Sequence, residues 1–350
     1  MTAEPTPIQA ADAALINDWA TWLESAKGCR PRTLESYRLV LRRLCEFAAT
    51  LPRKPLLMAL EPVEIEHFAG VWLHKLGVVA RSRKPYVSAL RGFFGWAKAR
   101  GHVDRDLVLE LRHPRIGRPL PSTLSLASAE KLMWAPDLGT FKGIRDAAIL
   151  AMLLGGLRVS GVVGLNEGDV RPQDIDGKPR LVVHVIEKGE KERVLPLPRE
   201  AEMLLRVYLD HDELKTVPRD VLDRKGRADK VLFVNLRNTS VPVHERMGEK
   251  VRLNRHTVWK LIQQYGEKAG VPAAERHPHA FRHLFGVELA EDDVDLLTRQ
   301  HLLGHADPKS TEIYTEMSMR RKTRVMDKSG PLGKMKTPVS ELLKRLPSGA

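Results

Sequence analysis

Apolar residues in the first third of the chain recur at helical spacing and never alternate. Leu15, Trp19, Trp22 and Leu23 repeat at i, i+4, i+7 and i+8, the signature of one buried helix face. Leu34, Tyr37, Leu41 and Leu44 form a second stripe, with Thr33 placed to cap it. Val63, Ile65, Phe68 and Trp72 predict a third helix after Pro62, and Tyr86, Leu90, Phe93, Phe94 and Ala97 a fourth. No period-two run interrupts residues 11–111, so a small all-helical domain is predicted there.

The pattern then breaks. Residues 112–121 carry three prolines, one glycine and three arginines, a composition that blocks helix and stays in solvent. This is the predicted linker, and its arginines fit a segment that crosses a phosphate backbone. Beyond it, Ser128 can cap a helix with Glu130 in the first turn, and a buried helix follows over 144–154. Leu181–Glu187 and Arg193–Leu197 are β-branched or alternating, with a turn over Lys188–Lys191, which predicts a hairpin. Helical spacing resumes over 199–212, 256–269, 279–290 and 294–303, and 213–229 reads as an exposed connection.

Residues 1–10 are polar and proline-containing, and are expected to be disordered. After the breaker at 329–333, Thr337 and Pro338 open a short stripe of Val339, Leu342, Leu343 and Leu346. A helix that short needs something to dock on. The expected organisation is therefore a helical domain at 11–111, a linker at 112–121, a second domain at 122–328 and a tail at 329–350. The expected fold class is mainly α, the second domain being α+β with one small hairpin.

Charge narrows the partner. A net charge of +13 and a pI near 9.8 over 350 residues point to a polyanion, most simply nucleic acid. Two isolated cysteines, Cys29 and Cys45, fit a reducing cytoplasm without a metal cluster. No secretory leader or membrane-spanning apolar run is visible.

Five short segments carry the chemistry: GGLRVSGVVGL at 155–165, VIEKGEKERVLPLP at 185–198, HPHAFRHLF at 277–285, HLLGHAD at 301–307 and STEIYTEMS at 310–318. Together they supply guanidinium, ammonium, imidazole and phenol. Guanidinium never deprotonates and offers a planar fork to two oxygens, so Arg158 and Arg282 are candidates for clamping a phosphodiester. Most arginines are surface charges, but Arg158 directly follows an apolar run where a solvated arginine has little reason to sit. Tyr314 is the candidate nucleophile. A phenol loses its proton only near pH 10, so an imidazole must accept that proton as the oxygen attacks. Without the other segments Tyr314 would read as a packing tyrosine.

These segments, in this order and spacing, resemble the tyrosine recombinase (phage integrase) family, in its simple two-domain, Xer-like architecture. The resemblance spans roughly residues 30–320 and is weaker before 125. It implies that Tyr314 attacks the phosphate, His279 takes its proton, and Lys188 protonates the leaving 5′-oxygen, with Lys191 the local competitor. Arg158 and Arg282 hold the phosphate, and His305 bonds the oxygen that develops charge. His277 and His283 read as structural, or as supports behind the reacting groups. His301 and His305 stand at i, i+4, but Gly304 tends to end the helix between them and the glutamate of a zinc hydrolase motif is missing, so neither metal nor cofactor is expected. The resemblance also implies a clamp on double-stranded DNA with paired half-sites, a dimer on one site and a tetramer in synapsis. Arg32, Arg38, Arg42, Arg81, Arg83, Lys84 and Arg91 become candidate DNA contacts in the helical domain, and Arg115 and Arg118 in the linker. One departure stands out: Gly161 occupies the position where the family has an acidic residue. A type IB topoisomerase-like nicking-closing enzyme and a non-cutting DNA-binding relative remain as alternatives. Cytoplasmic, nucleoid-associated localisation follows from the same resemblance.

Overall fold

The computed structural model describes residues 9–115, 117, 121–186, 192–236, 241–304 and 307–329, with side chains through 324. The expectations for Lys188 and Lys191, Arg118, His305 and the tail helix concern positions outside these. The chain forms two compact units, residues 1–119 and 120–350.

The first unit is all helical: α1 (Ala10–Lys27), α2 (Pro31–Thr50), α3 (Pro62–His67), α4 (Leu73–Lys75) and α5 (Ala80–Ala99). Thr33 does not cap α2. Pro31, with φ preset and no N–H to satisfy, starts the helix earlier, and Arg30 occupies the cap position. A π-helical turn, Phe68–Trp72, joins α3 to α4 without a break. It rotates the helix so that Phe68, Ala69 and Leu73 all face the core. Such a turn displaces the usual i to i+4 bonding, and Arg83 of α5 donates from Nη1 to the Gly70 carbonyl at 2.8 Å. Around this sits an aromatic core in which Trp19 stacks on Tyr37 and meets Phe93 edge-on.

The second unit opens with α6 (Leu126–Trp134) and α7 (Phe141–Leu154). Ser125, not Ser128, caps α6: its hydroxyl accepts the Ser128 N–H at 3.1 Å, and Ser128 is itself buried. Glu130 therefore lies beyond the first turn. Thr140 caps α7 in the same way, through the Gly143 N–H at 3.0 Å. After α8 (Val159–Gly164) come β1 (Val170–Ile175), β2 (Lys178–Ile186) and β3 (Glu192–Pro196), an antiparallel sheet ordered β1-β2-β3. The sequence pattern missed β1 because Arg171, Gln173 and Asp174 face solvent and leave no alternation to read. Then follow α9 (Arg199–Asp210) and α10 (Asp212–Lys215). The expected open connection over 213–229 instead ends in a second hairpin, β4 (Asp220–Leu222) and β5 (Ala228–Lys230). Asp223 ties its turn by accepting the Lys225 and Arg227 N–H groups, both at 2.8 Å.

The unit finishes with α11 (Arg255–Lys268), α12 (Pro278–Glu291), α13 (Leu296–Leu303), α14 (Lys309–Met317) and α15 (Met319–Ser329). Helix α7 is buried over most of its length and forms the centre of the core, with α9 and α12 packed against it. The fold is thus mostly helical with small antiparallel sheets. No helix among the described residues is long and apolar enough to cross a membrane.

Candidate active site

The site forms where α12 begins and α13 ends. His277 caps α12, its Nδ1 accepting the Ala280 N–H at 3.1 Å, and Pro278 follows in the first turn. That fixes His277 as a structural residue. It also directs His279, Arg282 and His283 from the first two turns.

Arg282 is only 3% exposed. Its Nη1 donates to the Gly156 carbonyl at 2.5 Å and its Nη2 to the Leu303 carbonyl. Gly156 stands at φ +86, and a Cβ there would lie 2.4 Å from the Phe285 ring, so no other residue fits without displacing α12. Arg158, at the N-cap of α8, donates from Nη2 to the Gly304 carbonyl at 3.2 Å. A third guanidinium joins them: Arg193 of β3 donates from Nη1 to the His301 carbonyl at 3.4 Å and to the Leu302 carbonyl. The carbonyls of His301, Leu302, Leu303 and Gly304, where α13 ends, therefore receive three arginines between them. Gly304 closes the helix in the left-handed conformation, φ 59. Carbonyl acceptors anchor these side chains without cancelling their charge, which suits an anion between them.

Tyr314 of α14 is 2% exposed and packs with Ala290, Leu303 and Phe285. Its hydroxyl lies 3.1 Å from Nδ1 of His283. Gly286, one turn along α12 from His283, makes room for the ring. Burial pushes the phenol above its ordinary pKa, while the Arg282 and Arg158 charges pull it back. Burial first, then the charges of His279, His277 and Arg282, push His283 down to about 4. His279 is lowered by burial, then by His277, Arg282 and Arg158. Both imidazoles are thus held neutral near pH 7.

The structure therefore gathers Arg158, Arg282, His279 and Tyr314 at one locus. It adds two residues that sequence reasoning did not assign there, Arg193 and His283. His283 sits one helical turn from His279 and one from Gly286, a spacing the sequence did display. Arg193 gave no signal, because its partners are backbone carbonyls.

Gly161 has an ordinary backbone, and a Cβ there would meet only Val185 Cγ1 at 3.6 Å. It borders a polar cavity of about 410 Å³ that Asp169, His184 and Glu192 also line. Among the described residues, no group of three or more His, Cys, Asp or Glu is arranged to hold a metal ion.

The candidate DNA contacts divide. Arg32, Arg38 and Arg42 on α2, Arg81, Lys84 and Arg91 on α5, and Arg115 are exposed. Arg83 is half-buried on the Gly70 carbonyl, which gives it a structural job inside its own unit.

Two family models match the chain: "Phage integrase family" over residues 123–321 and "Phage integrase, N-terminal SAM-like domain" over residues 16–101. The chain is 35% identical to tyrosine recombinase XerD of Pseudomonas aeruginosa over 307 residues, 86% of this chain and 91% of that one. It is 34% identical to tyrosine recombinase XerD of Pseudomonas putida over 331 residues, 93% and 99% of the two chains. In fold it is similar to the XerH site-specific recombinase bound to a palindromic difH substrate, a post-cleavage complex. That likeness has a TM-score of 0.66 at 19% identity, covering 89% of this chain and 84% of that one. A lambda integrase (75-356) dimer bound to a COC′ core site gives a TM-score of 0.59 at 19% identity, covering 88% and 95%.

Proposed function

The chain belongs to the phage integrase family, the tyrosine recombinases, and from that premise we propose that it is a site-specific DNA recombinase. It cuts and rejoins duplex DNA through a 3′-phosphotyrosine intermediate. The observation that carries this reading is Tyr314, buried at the same locus as Arg282 and Arg158: burial raises the phenol's pKa, and the two positive charges oppose that rise. The two guanidinium groups hold the scissile phosphate and stabilise the charge that builds on its non-bridging oxygens. Tyr314 attacks phosphorus, and the 5′-oxygen leaves. On the family resemblance, Lys188 protonates that oxygen, His305 bonds a phosphate oxygen, and an imidazole takes the phenol's proton, His279 being the family's position for that role.

The phosphotyrosine linkage retains the energy of the broken diester, so a 5′-hydroxyl from another strand can reverse the attack. This cycle needs neither ATP nor a metal. The partner is double-stranded DNA with paired half-sites, bound by a dimer on one site and a tetramer in synapsis. The setting is the cytoplasm, in association with the nucleoid. Exposed Arg32, Arg38, Arg42, Arg81, Lys84, Arg91 and Arg115 are the proposed backbone contacts, with Arg118 beside them in sequence. The proposed organisation is a helical DNA-binding domain at 11–111, a linker at 112–121, a catalytic domain at 122–328 and a tail at 329–350 that links neighbouring subunits.

The test is Tyr314→Phe on a nicked half-site that traps the covalent complex. The variant is expected to bind the half-site and give no denaturant-resistant protein–DNA band. A band in the variant would move the nucleophile elsewhere. Capture without strand exchange, accompanied by relaxation of supercoiled DNA, would favour the topoisomerase-like alternative.

A further inference from the structure

Resting on the reading that Tyr314 is the nucleophile, we infer that His283 is its direct proton acceptor, taking the phenolic proton on Nδ1. Nδ1 of His283 lies 3.1 Å from the phenol oxygen, whereas His279 lies one turn nearer the start of α12. The contact is built rather than incidental. Gly286 admits the tyrosine ring beside His283, and burial of Tyr314 keeps water from competing for its proton.

The ring must be neutral to accept, with its own proton on Nε2. The groups facing it supply that condition: His277, His279 and Arg282 from α12 and its cap, and Tyr314 from α14. Binding of a phosphodiester between the arginines adds a negative charge beside Arg282 and so offsets one of the causes that hold His283 neutral. His283 thus becomes a better base when substrate arrives, and a poor one before. In the step itself the Oη–H bond breaks and the proton moves to Nδ1. The Oη–P bond forms and the P–O5′ bond breaks, and the 5′-oxygen takes its proton from the acid on the opposite side. On rejoining, the imidazolium returns its proton to Oη.

The experiment is single-turnover covalent capture on the nicked half-site across about pH 3.5–9, a window that spans the value near 4 to which His283 is pushed, with half-site affinity and circular dichroism as checks on folding. His283→Asn keeps an amide within reach of the phenol but cannot take up a proton; His283→Gln is the second variant should Asn not fold. Capture is expected to slow by roughly 10²–10⁴-fold, as for loss of a general base. Half-site affinity should be unchanged, and the fall in rate toward acid pH should disappear. If either variant captures at the parent rate with the acid limb intact, His283 only packs against the ring and the inference is wrong. It is equally wrong if the acid limb survives in His283→Asn and vanishes in His279→Asn, which would make His279 the acceptor. Tyr314→Phe run in parallel separates the two levels: capture there defeats the nucleophile assignment, while loss of capture there leaves His283 to stand or fall on its own variants.

Discussion

Gly286→Ala is the smallest change that reaches Tyr314 without altering its hydroxyl. A Cβ at position 286 would lie 2.7 Å from Cδ2, Cε2 and Cζ of the tyrosine ring. Carbon atoms rest at about 3.5 Å or more, so ring and helix must part by roughly 0.8 Å. The obstacle is the flat body of a buried ring, which has no flexible end to swing aside. Overpacking of this kind costs about 1–3 kcal/mol, and alanine's better helix propensity returns up to about 1 kcal/mol. The net expectation is a loss between zero and about 3 kcal/mol in local stability. Catalysis should suffer more, since a misplacement near 1 Å costs up to about 10²-fold in rate. In a Tyr314→Ala background the contact is gone, and Gly286→Ala should stabilise α12 by about 0.5–1 kcal/mol. Hydrogen exchange of the α12 and α14 amides in the four-member cycle reads this change of sign, and covalent capture reads the rate. An equal cost in both backgrounds would mean that Gly286 serves the helix and not the tyrosine.

Gly161→Glu should fold and keep half-site affinity, because its Cβ meets only Val185 and the side chain can extend into the adjoining cavity; a modest change in cleavage rate is expected, and loss of the circular dichroism of the native fold would refute the room assigned to it. His283 has a folded pKa below its unfolded one, so the unfolded chain binds the extra proton and stability falls as pH drops from about 6.5 toward about 4. Urea titrations should show this loss flattening in His283→Asn, and parallel pH curves for the two proteins would contradict it. Half-site binding should lose about 10³–10⁵ in affinity between roughly 50 and 200 mM salt if six to ten phosphates are contacted; a flat salt dependence would assign the +13 charge to another purpose. Cleavage should persist in EDTA, and its loss with restoration by a divalent ion would bring a metal into the mechanism.

The helices of the first unit were legible because each buries one face, and burial of one face is what a 3.6-residue period encodes. The π turn at Phe68–Trp72 was not, since it satisfies the same apolar positions with one extra residue per turn. Strand β1 was hidden by its solvent-facing polar residues, and β4–β5 by a turn whose signal, Asp223 with Gly226 at φ +74, spans only a few residues. At the site, residue types with scarce alternatives were visible: Arg158, Arg282, His279 and Tyr314. His283 looked structural because its role depends on where α14 lays the tyrosine, a tertiary fact. Arg193 was invisible for a related reason. Its acceptors are main-chain oxygens, and any residue at 301 and 302 would supply them.

The gathering of Arg158, Arg193 and Arg282 at the end of α13 has a thermodynamic side. A helix C-terminus carries only about half a negative charge, yet three full positive charges converge on it. A phosphate anion bound among these cations gains contacts that the unfolded chain cannot offer it. Ligand binding and folding are therefore linked here, and the target DNA acts as a stabilising component of the domain as well as its substrate. The same linkage sets the order of events: the arginines, the hairpin strand that carries Arg193 and the helix that carries the candidate base settle most firmly once a phosphodiester lies between them.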